Sequence, residues 1–293
     1  MSLHRLTTLT IAVPDIAACS TFYRDFGLSE VGPGRFATVE GGEQLRLTQG
    51  ASRMLEEIGL GVDDEDDLDR LESSVNACGF TTERTGGGFT AEDSPTGVRV
   101  RVETAPRLPD AVNGAPGQRR NERAPAVDRD GPVQPRKLGH VVLGSPDAAT
   151  TRRLFLDGLG FKVSDEIAGL AAFMRCSTDH HNLLVQAAPV PLLHHTSWQV
   201  EDADEVGRGG NAMVATDPER HLWGLGRHYI GSNWFWYLRD PAGSFAEYYA
   251  DLDIITDDDA WSGMSVADKR ALFAWAPPVP DDFLAPPDMA ALA

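Results

Sequence analysis

GRHYIGSNWFWYLRDPAGSFAE, residues 226–247, decides how this chain is read. Two aromatic-rich segments, Trp234–Arg239 and Phe245–Ala250, have the composition of strands, and Asp240-Pro241-Ala242-Gly243 between them has the composition of a turn. With a loop over residues 240–244, Arg239 faces Phe245 and Tyr237 falls opposite Glu247. A phenol and a carboxylate then share one face, and His228 arrives from just upstream. Ionisable groups on so aromatic a surface are costly to bury without a partner, and a metal ion is the best such partner.

Outward from that hairpin, the chain repeats itself. VPDIAACSTFYRDFGLSEV (residues 13–31) matches SPDAATTRRLFLDGLGFKV (residues 145–163). Each follows an apolar strand, passes through Pro-Asp into an amphipathic helix, stops at glycine and re-enters a strand. SPTGVRVRVE (residues 94–103) likewise matches DPAGSFAEYY (residues 240–249), with Pro-x-Gly at the turn in both. The reading is a duplicated mixed α/β unit. Its parts are an N-terminal module over residues 1–105, a linker over 106–136 rich in Pro, Arg, Asp and Gly, a C-terminal module over 137–255 and a tail over 256–293. Ser265, with Asp268 three residues on, is expected to cap a short helix over residues 266–275. A tail of this kind clamps its own domain or a neighbouring subunit rather than carrying chemistry. The acidic stretch at residues 61–72 reads as a solvated helix start, where acids suit the dipole.

Composition excludes several functions. A formal charge of -18 argues against binding a phosphate backbone. No apolar run reaches a membrane span, and no basic start leads into a signal-peptide core. Three scattered cysteines, Cys19, Cys78 and Cys176, imply no disulfide framework, so a cytoplasmic protein is expected.

Histidine is distributed unevenly. His4 alone precedes the linker, whereas His140, His180, His181, His194, His195, His221 and His228 follow it. Packing residues occur in both modules but metal-capable ones in the second only. His140, His195 and Glu247 fall on three strands of that module and compose a two-histidine, one-carboxylate set that leaves coordination positions open. Matching the repeats puts Thr8, Glu57 and Arg101 at the corresponding places, and a cation cannot serve as a ligand. Each residue also has a plainer reading, since a strand histidine is more often packed than ligating. Strand alternation is expected to let only one of His194 and His195 face the site, and His221 reads as surface.

Together these residues resemble the type I extradiol ring-cleaving dioxygenases of the vicinal oxygen chelate (glyoxalase/bleomycin resistance) superfamily. The resemblance rests on Gly226-x-His228, Tyr237, Asp240-Pro241-x-Gly243 and Glu247, with Gly139-His140 and the His180-His181 and His194-His195 pairs, and it spans both modules. It implies an α+β fold of two tandem modules, each a pair of βαβββ units forming an open barrel-like sheet around a central cavity. It implies His140, His195 and Glu247 as ligands of Fe(II), or of Mn(II), which the same set holds. It makes His181 the acid–base group, and His228 and Tyr237 the pair that hydrogen-bonds the catecholic oxygens. The implied reaction is extradiol (meta) cleavage of a substituted catechol by dioxygen, in the catabolism of aromatic hydrocarbons, by a homo-oligomer. Phe173, Met174, Trp198, Trp234 and Phe245 are candidates for the pocket wall, and Arg175, Arg227 or Arg239 for holding a substrate carboxylate. Two features depart from the family pattern: Trp236, expected to bulge the pocket wall, and the glycine-broken stretch at residues 206–210, where a firmer helix is usual. A glyoxalase-like isomerase or epimerase would use a similar metal set without His181, His228 and Tyr237. A metal-free ligand-sequestering protein of the same fold would have no use for the set.

Overall fold

The computed structural model describes residues 2–109, 120–121, 123–284 and 286–289. Four βαβββ units follow one another. The first is β1 (Leu3–Val13), α1 (Ile16–Asp25), β2 (Ser29–Gly32), β3 (Arg35–Thr38) and β4 (Gly42–Gln49). The second is β5 (Met54–Val62), α2 (Glu65–Ala77), β6 (Thr82–Thr85), β7 (Gly88–Asp93) and β8 (Val98–Thr104). After the linker come β9 (Lys137–Ser145), α3 (Ala148–Arg153), β10 (Lys162–Ile167), β11 (Ala171–Arg175) and β12 (Leu183–Ala187). The last unit is β13 (Leu192–Gln199), α4 (Ala203–Thr216), β14 (His221–Arg227), β15 (Trp234–Arg239) and β16 (Phe245–Ala250).

One local device starts all four helices. Asp15, Asp64, Asp147 and Asp202 each stand at the N-cap and accept a hydrogen bond from the backbone N–H three residues on. The four-fold recurrence of strand, aspartate cap and helix is the sequence-level mark of the repeat. The glycine-containing segment is no break: α4 is a continuous helix. A Cβ on Gly210 would lie 2.2 Å from the Trp236 ring, so glycine there lets the indole pack against the helix. Trp236 therefore faces α4 rather than the pocket wall it was expected to bulge.

The strands form two sheets, ordered β2-β3-β4-β1-β5-β8-β7-β6 and β14-β15-β16-β13-β9-β12-β11-β10-β17, where β17 is Ser265–Val266. In each, two strands pair antiparallel at the centre (β1 with β5, β9 with β13) and each central strand pairs parallel with the end of its own unit. One continuous hydrophobic core unites both sheets and their helices. Phe26 of the first half stacks on Tyr248 of the second with centroids 3.9 Å apart, and the Tyr248 hydroxyl donates to the Phe26 carbonyl at 2.7 Å. Such a pair adds about 0.5–1.5 kcal/mol beyond its buried area.

The tail departs from expectation. Residues 266–275 form no α-helix; Val266 instead adds to the edge of β10, and a single 3-10 turn follows at Lys269–Ala271. The expected helix fails because its backbone is committed at both ends, Val266 to β10 and the Ala274 N–H to the Arg227 carbonyl at 2.8 Å; the short helix lies further on, at α5 (Asp281–Leu284), directly after Pro280. The tail clamps its own chain. Buried Arg53, at the head of β5, holds Asp288 through Nε at 2.6 Å and Nη2 at 2.8 Å. Phe283 sits among Trp223, Tyr237, His194 and Phe245.

Candidate metal centre

The 226–247 hairpin forms in the expected register, with Tyr237 opposite Glu247 and Arg239 opposite Phe245. Glu247 on β16 and His140 on β9 both pair with Ser197 of β13, one from each side. His195 lies two residues back along β13 and so shares their face. The three side chains converge: one ligand atom from each lies within 4.8 Å of the others, and all three residues are buried. Glu247 Oε2 is 3.1 Å from His140 Nε2 and 3.6 Å from His195 Nε2, yet neither Oε2 nor His195 Nε2 makes a hydrogen bond. Buried polar atoms aimed at one point without bonding each other leave a gap that a divalent cation fits. Asn233 Nδ2 donates to the other carboxylate oxygen, Oε1, at 3.3 Å and fixes the rotation of the group.

The alternation argument for His194 and His195 fails here. The register of β13 slips between Leu193 and His195, so His194 is the extra residue of a β-bulge. Both imidazoles therefore reach the cavity, and their Nδ1 atoms lie 2.7 Å apart. His194 Nε2 donates to the Phe283 carbonyl at 2.6 Å. A second such pair stands across the site: His181 Nδ1 is 3.0 Å from His180 Nδ1, and His180 Nε2 is 2.7 Å from Asp165 Oδ2. A carboxylate oxygen only accepts, so His180 carries its proton on Nε2 and receives the His181 Nδ1–H. His181 Nε2 is left with a lone pair, beside a His140 ring whose centroid is 4.1 Å away.

His228 and Tyr237 complete the floor. His228 Nδ1 donates to the Leu272 carbonyl at 2.5 Å, which leaves Nε2 to accept from the Tyr237 hydroxyl at 2.9 Å. Burial holds His181 and His195 well below the usual imidazole pKa, and the neighbouring histidines push in the same direction. Burial also lowers His228, and brings His194 down to about 4. Burial and the nearby Glu247 carboxylate raise Tyr237 well above 10. At neutral pH these four imidazoles are uncharged and the phenol keeps its proton.

The cavity above the site is lined by Val142, Ile167, Leu170, Phe173, Leu184 and Ile230, and by Ala271, Leu272, Phe283 and Leu284 of the tail. Of the aromatic residues expected in its wall, Phe173 is there. Met174 alternates to the opposite face of β11 and Trp198 is sealed in the core. Trp234 turns outward against Trp275 and Arg227. Phe245 shares the Glu247 face but packs under His194 and Phe283 rather than lining the cavity. No Lys or Arg lines the cavity among the described residues. Arg175 pairs with Asp258, Arg227 with Asp251 and Arg239 with Asp282, so none of the three proposed arginines points in. His221 lies at the exposed start of β14 and accepts from Trp236 Nε1 at 3.1 Å.

Asn233, Asp165, His180, Leu272 and Phe283 were not recognised from sequence as part of this centre. Only His180 carried a signal, as the neighbour of His181; the others act through tertiary contacts or backbone carbonyls. In the first sheet Gly59 stands opposite both Thr8 and Arg101, as Ser197 stands opposite His140 and Glu247. There Arg101 Nε donates to Glu57 at 2.9 Å and also pairs with Glu103, so ion pairs occupy the corresponding place.

The sequence model of the Glyoxalase/Bleomycin resistance protein/Dioxygenase superfamily matches residues 137–248. Metapyrocatechase 2 of Cupriavidus necator is 31% identical, over 97% of this chain and 92% of its own length. The Mn(II)-bound glyoxalase from Novosphingobium aromaticivorans superposes with a TM-score of 0.75 at 27% identity, covering 94% of this chain and 91% of that one. Homoprotocatechuate 2,3-dioxygenase from Brevibacterium fuscum, solved with 3,4-dihydroxyphenylacetate, gives a TM-score of 0.77 at 21% identity, over 97% and 92%. That last likeness is one of fold.

Proposed function

Given that the chain belongs to the extradiol dioxygenases of the glyoxalase/bleomycin resistance protein/dioxygenase superfamily, we propose that it opens the ring of a neutral, apolar-substituted catechol at a divalent iron held by His140, His195 and Glu247. The observation that carries this reading is the pair of unbonded, fully buried atoms, His195 Nε2 and Glu247 Oε2, facing one point with His140. Manganese suits the same donor set. Bound there, the metal would supply Lewis acidity towards the catecholic oxygens and a route for electron density between the catechol and dioxygen. The reaction breaks the ring C–C bond beside the diol and places both atoms of dioxygen in the product, so no external reductant is needed.

The chain's own groups supply the rest. His181 Nε2, a lone pair at neutral pH, takes a catechol proton and returns it as the ring opens. His228 and Tyr237 hydrogen-bond the catecholic oxygen nearer β15 and fix the ring's direction. Ile167, Leu170, Leu184 and Leu284 exclude water and receive the substituent. With no cation in the wall, a carboxylated substituent would enter unpaired. Unpaired cysteines fit a cytoplasmic setting, and no helix among the described residues is long and apolar enough to cross a membrane.

The likeness to a glyoxalase favours a second reading, metal-dependent isomerisation. That chemistry has no use for His181, His228 and Tyr237 lining the same cavity. Anaerobic loading with iron, followed by oxygen uptake on a panel of catechols, separates the two. A yellow ring-opened product is expected; iron bound without oxygen uptake on any diol would move the assignment to an isomerase.

A further inference from the structure

The C-terminal tail makes two backbone contacts that bear on the metal centre. The Leu272 carbonyl accepts from His228 Nδ1, and the Phe283 carbonyl accepts from His194 Nε2. The second reaches a ligand. A carbonyl oxygen has no proton to give, so His194 must carry its proton on Nε2. Its Nδ1 is then an acceptor, 2.7 Å from His195 Nδ1, and His195 must carry its own proton there. The remaining nitrogen, His195 Nε2, is the one that faces Glu247 Oε2. The path runs through buried atoms, His194 being 4% and Phe283 5% exposed, so water does not compete for these bonds.

We propose that His194 and the Phe283 backbone carbonyl are positioning groups that hold His195 in its metal-binding tautomer, making the tail a working part of the centre as well as a clamp. This rests on the metal assignment above. Without the relay, an imidazole in water divides itself between two tautomers and a rotating ring, and ligand-orienting partners of this sort are typically worth about 10- to 100-fold in metal affinity. The Phe283 ring seats the carbonyl. It lies 5.0 Å from the His194 ring and 4.8 Å from that of Tyr237, while the Arg53–Asp288 pair ties down the chain beyond it.

The tautomer is read directly, without metal, from the ring 15N shifts of histidine-labelled protein. His195 is expected to be protonated at Nδ1 and bare at Nε2; the opposite pattern would overturn the proposal. Metal release into excess chelator supplies the second readout. His194→Leu is expected to release iron or manganese about 10- to 100-fold faster than the parent. His194→Gln, whose amide can both accept from His195 and donate to Phe283, is expected to restore most of the loss. Phe283→Ala, which unseats the carbonyl, should accelerate release as well. Folded His194→Leu with the parent's release rate, His194→Gln as fast as His194→Leu, or Phe283→Ala with the parent's rate would each overturn it. A parent that binds no divalent metal overturns the site assignment and this proposal together, whereas a metal-binding parent indifferent to His194→Leu overturns this proposal alone.

Discussion

His195 Nε2 lies 3.6 Å from Glu247 Oε2, and the two atoms share no hydrogen bond although both are buried. That arrangement is unfavourable in itself and favourable around a cation. Glu247→Gln keeps the shape and removes the charge. Metal affinity is expected to fall by more than the roughly 10- to 100-fold typical of an outer partner. The metal-free protein is expected to gain about 1 kcal/mol or more, because an uncompensated buried charge has gone. Metal analysis and thermal unfolding of both forms check the pair of opposite signs; a metal-free variant less stable than the metal-free parent would contradict the account.

His181 stands beside the metal position without belonging to the donor set. His181→Asn is expected to leave metal content unchanged and to lower kcat by roughly 10²- to 10⁴-fold, the range for a lost acid–base group. Tyr237→Phe removes one hydrogen bond and is expected to lower kcat/KM only about tenfold. Steady-state kinetics on metal-replete protein distinguish the two; equal losses would mean that the roles are wrongly divided.

The wall of the cavity decides the preferred substituent. It offers aliphatic side chains, Phe173 and the neutral amide of Gln186, but no Lys or Arg among the described residues. Burying an unpaired carboxylate there costs about 3 kcal/mol or more, on the order of a hundredfold in kcat/KM. Alkyl- or aryl-substituted catechols are expected to surpass 3,4-dihydroxyphenylacetate by that margin. A carboxylated catechol turned over as well as its neutral counterpart would show that a cation reaches the pocket.

Stability of the metal-free protein depends on pH in a stated direction. His194 is held at about 4 by burial, against 6.5 for a free imidazole. His181, His195 and His228 are lowered for the same reason. Below pH 6.5 the unfolded chain binds protons that the folded chain refuses. Stability is therefore whole above that pH and falls as pH drops towards 4, by about 1.4 kcal/mol per pH unit for each such proton. Guanidinium unfolding at pH 8, 6.5 and 5.5 is expected to show midpoints flat at first and then descending. A midpoint that rises on acidification would contradict the burial of neutral imidazoles.

Sequence by itself determined what depends on neighbours along the chain. The turn at Asp240-Pro241-x-Gly243 fixed the hairpin register, and with it Tyr237 opposite Glu247. The aspartate caps fixed where the helices start, and the second-half histidines fixed which sheet carries the donor set. Along β13 and β16, which run parallel in simple register, period-two alternation holds, so His195, Ser197, Phe245 and Glu247 share a face. The same rule failed at His194, where a bulge adds one residue and turns a second imidazole inward. Alternation also puts Trp198, three residues from His195, and Trp234, three from Tyr237, on the face away from the site, as found; hydrophobicity, which suits a core face as well as a pocket face, makes them candidates for the wall. Only the tertiary structure decided the contacts between residues far apart in sequence: Asp165 on His180, Asn233 on Glu247, Phe283 on His194. A backbone carbonyl has no side-chain signature, so the role of the tail was invisible until folding brought Phe283 within 2.6 Å of His194 Nε2.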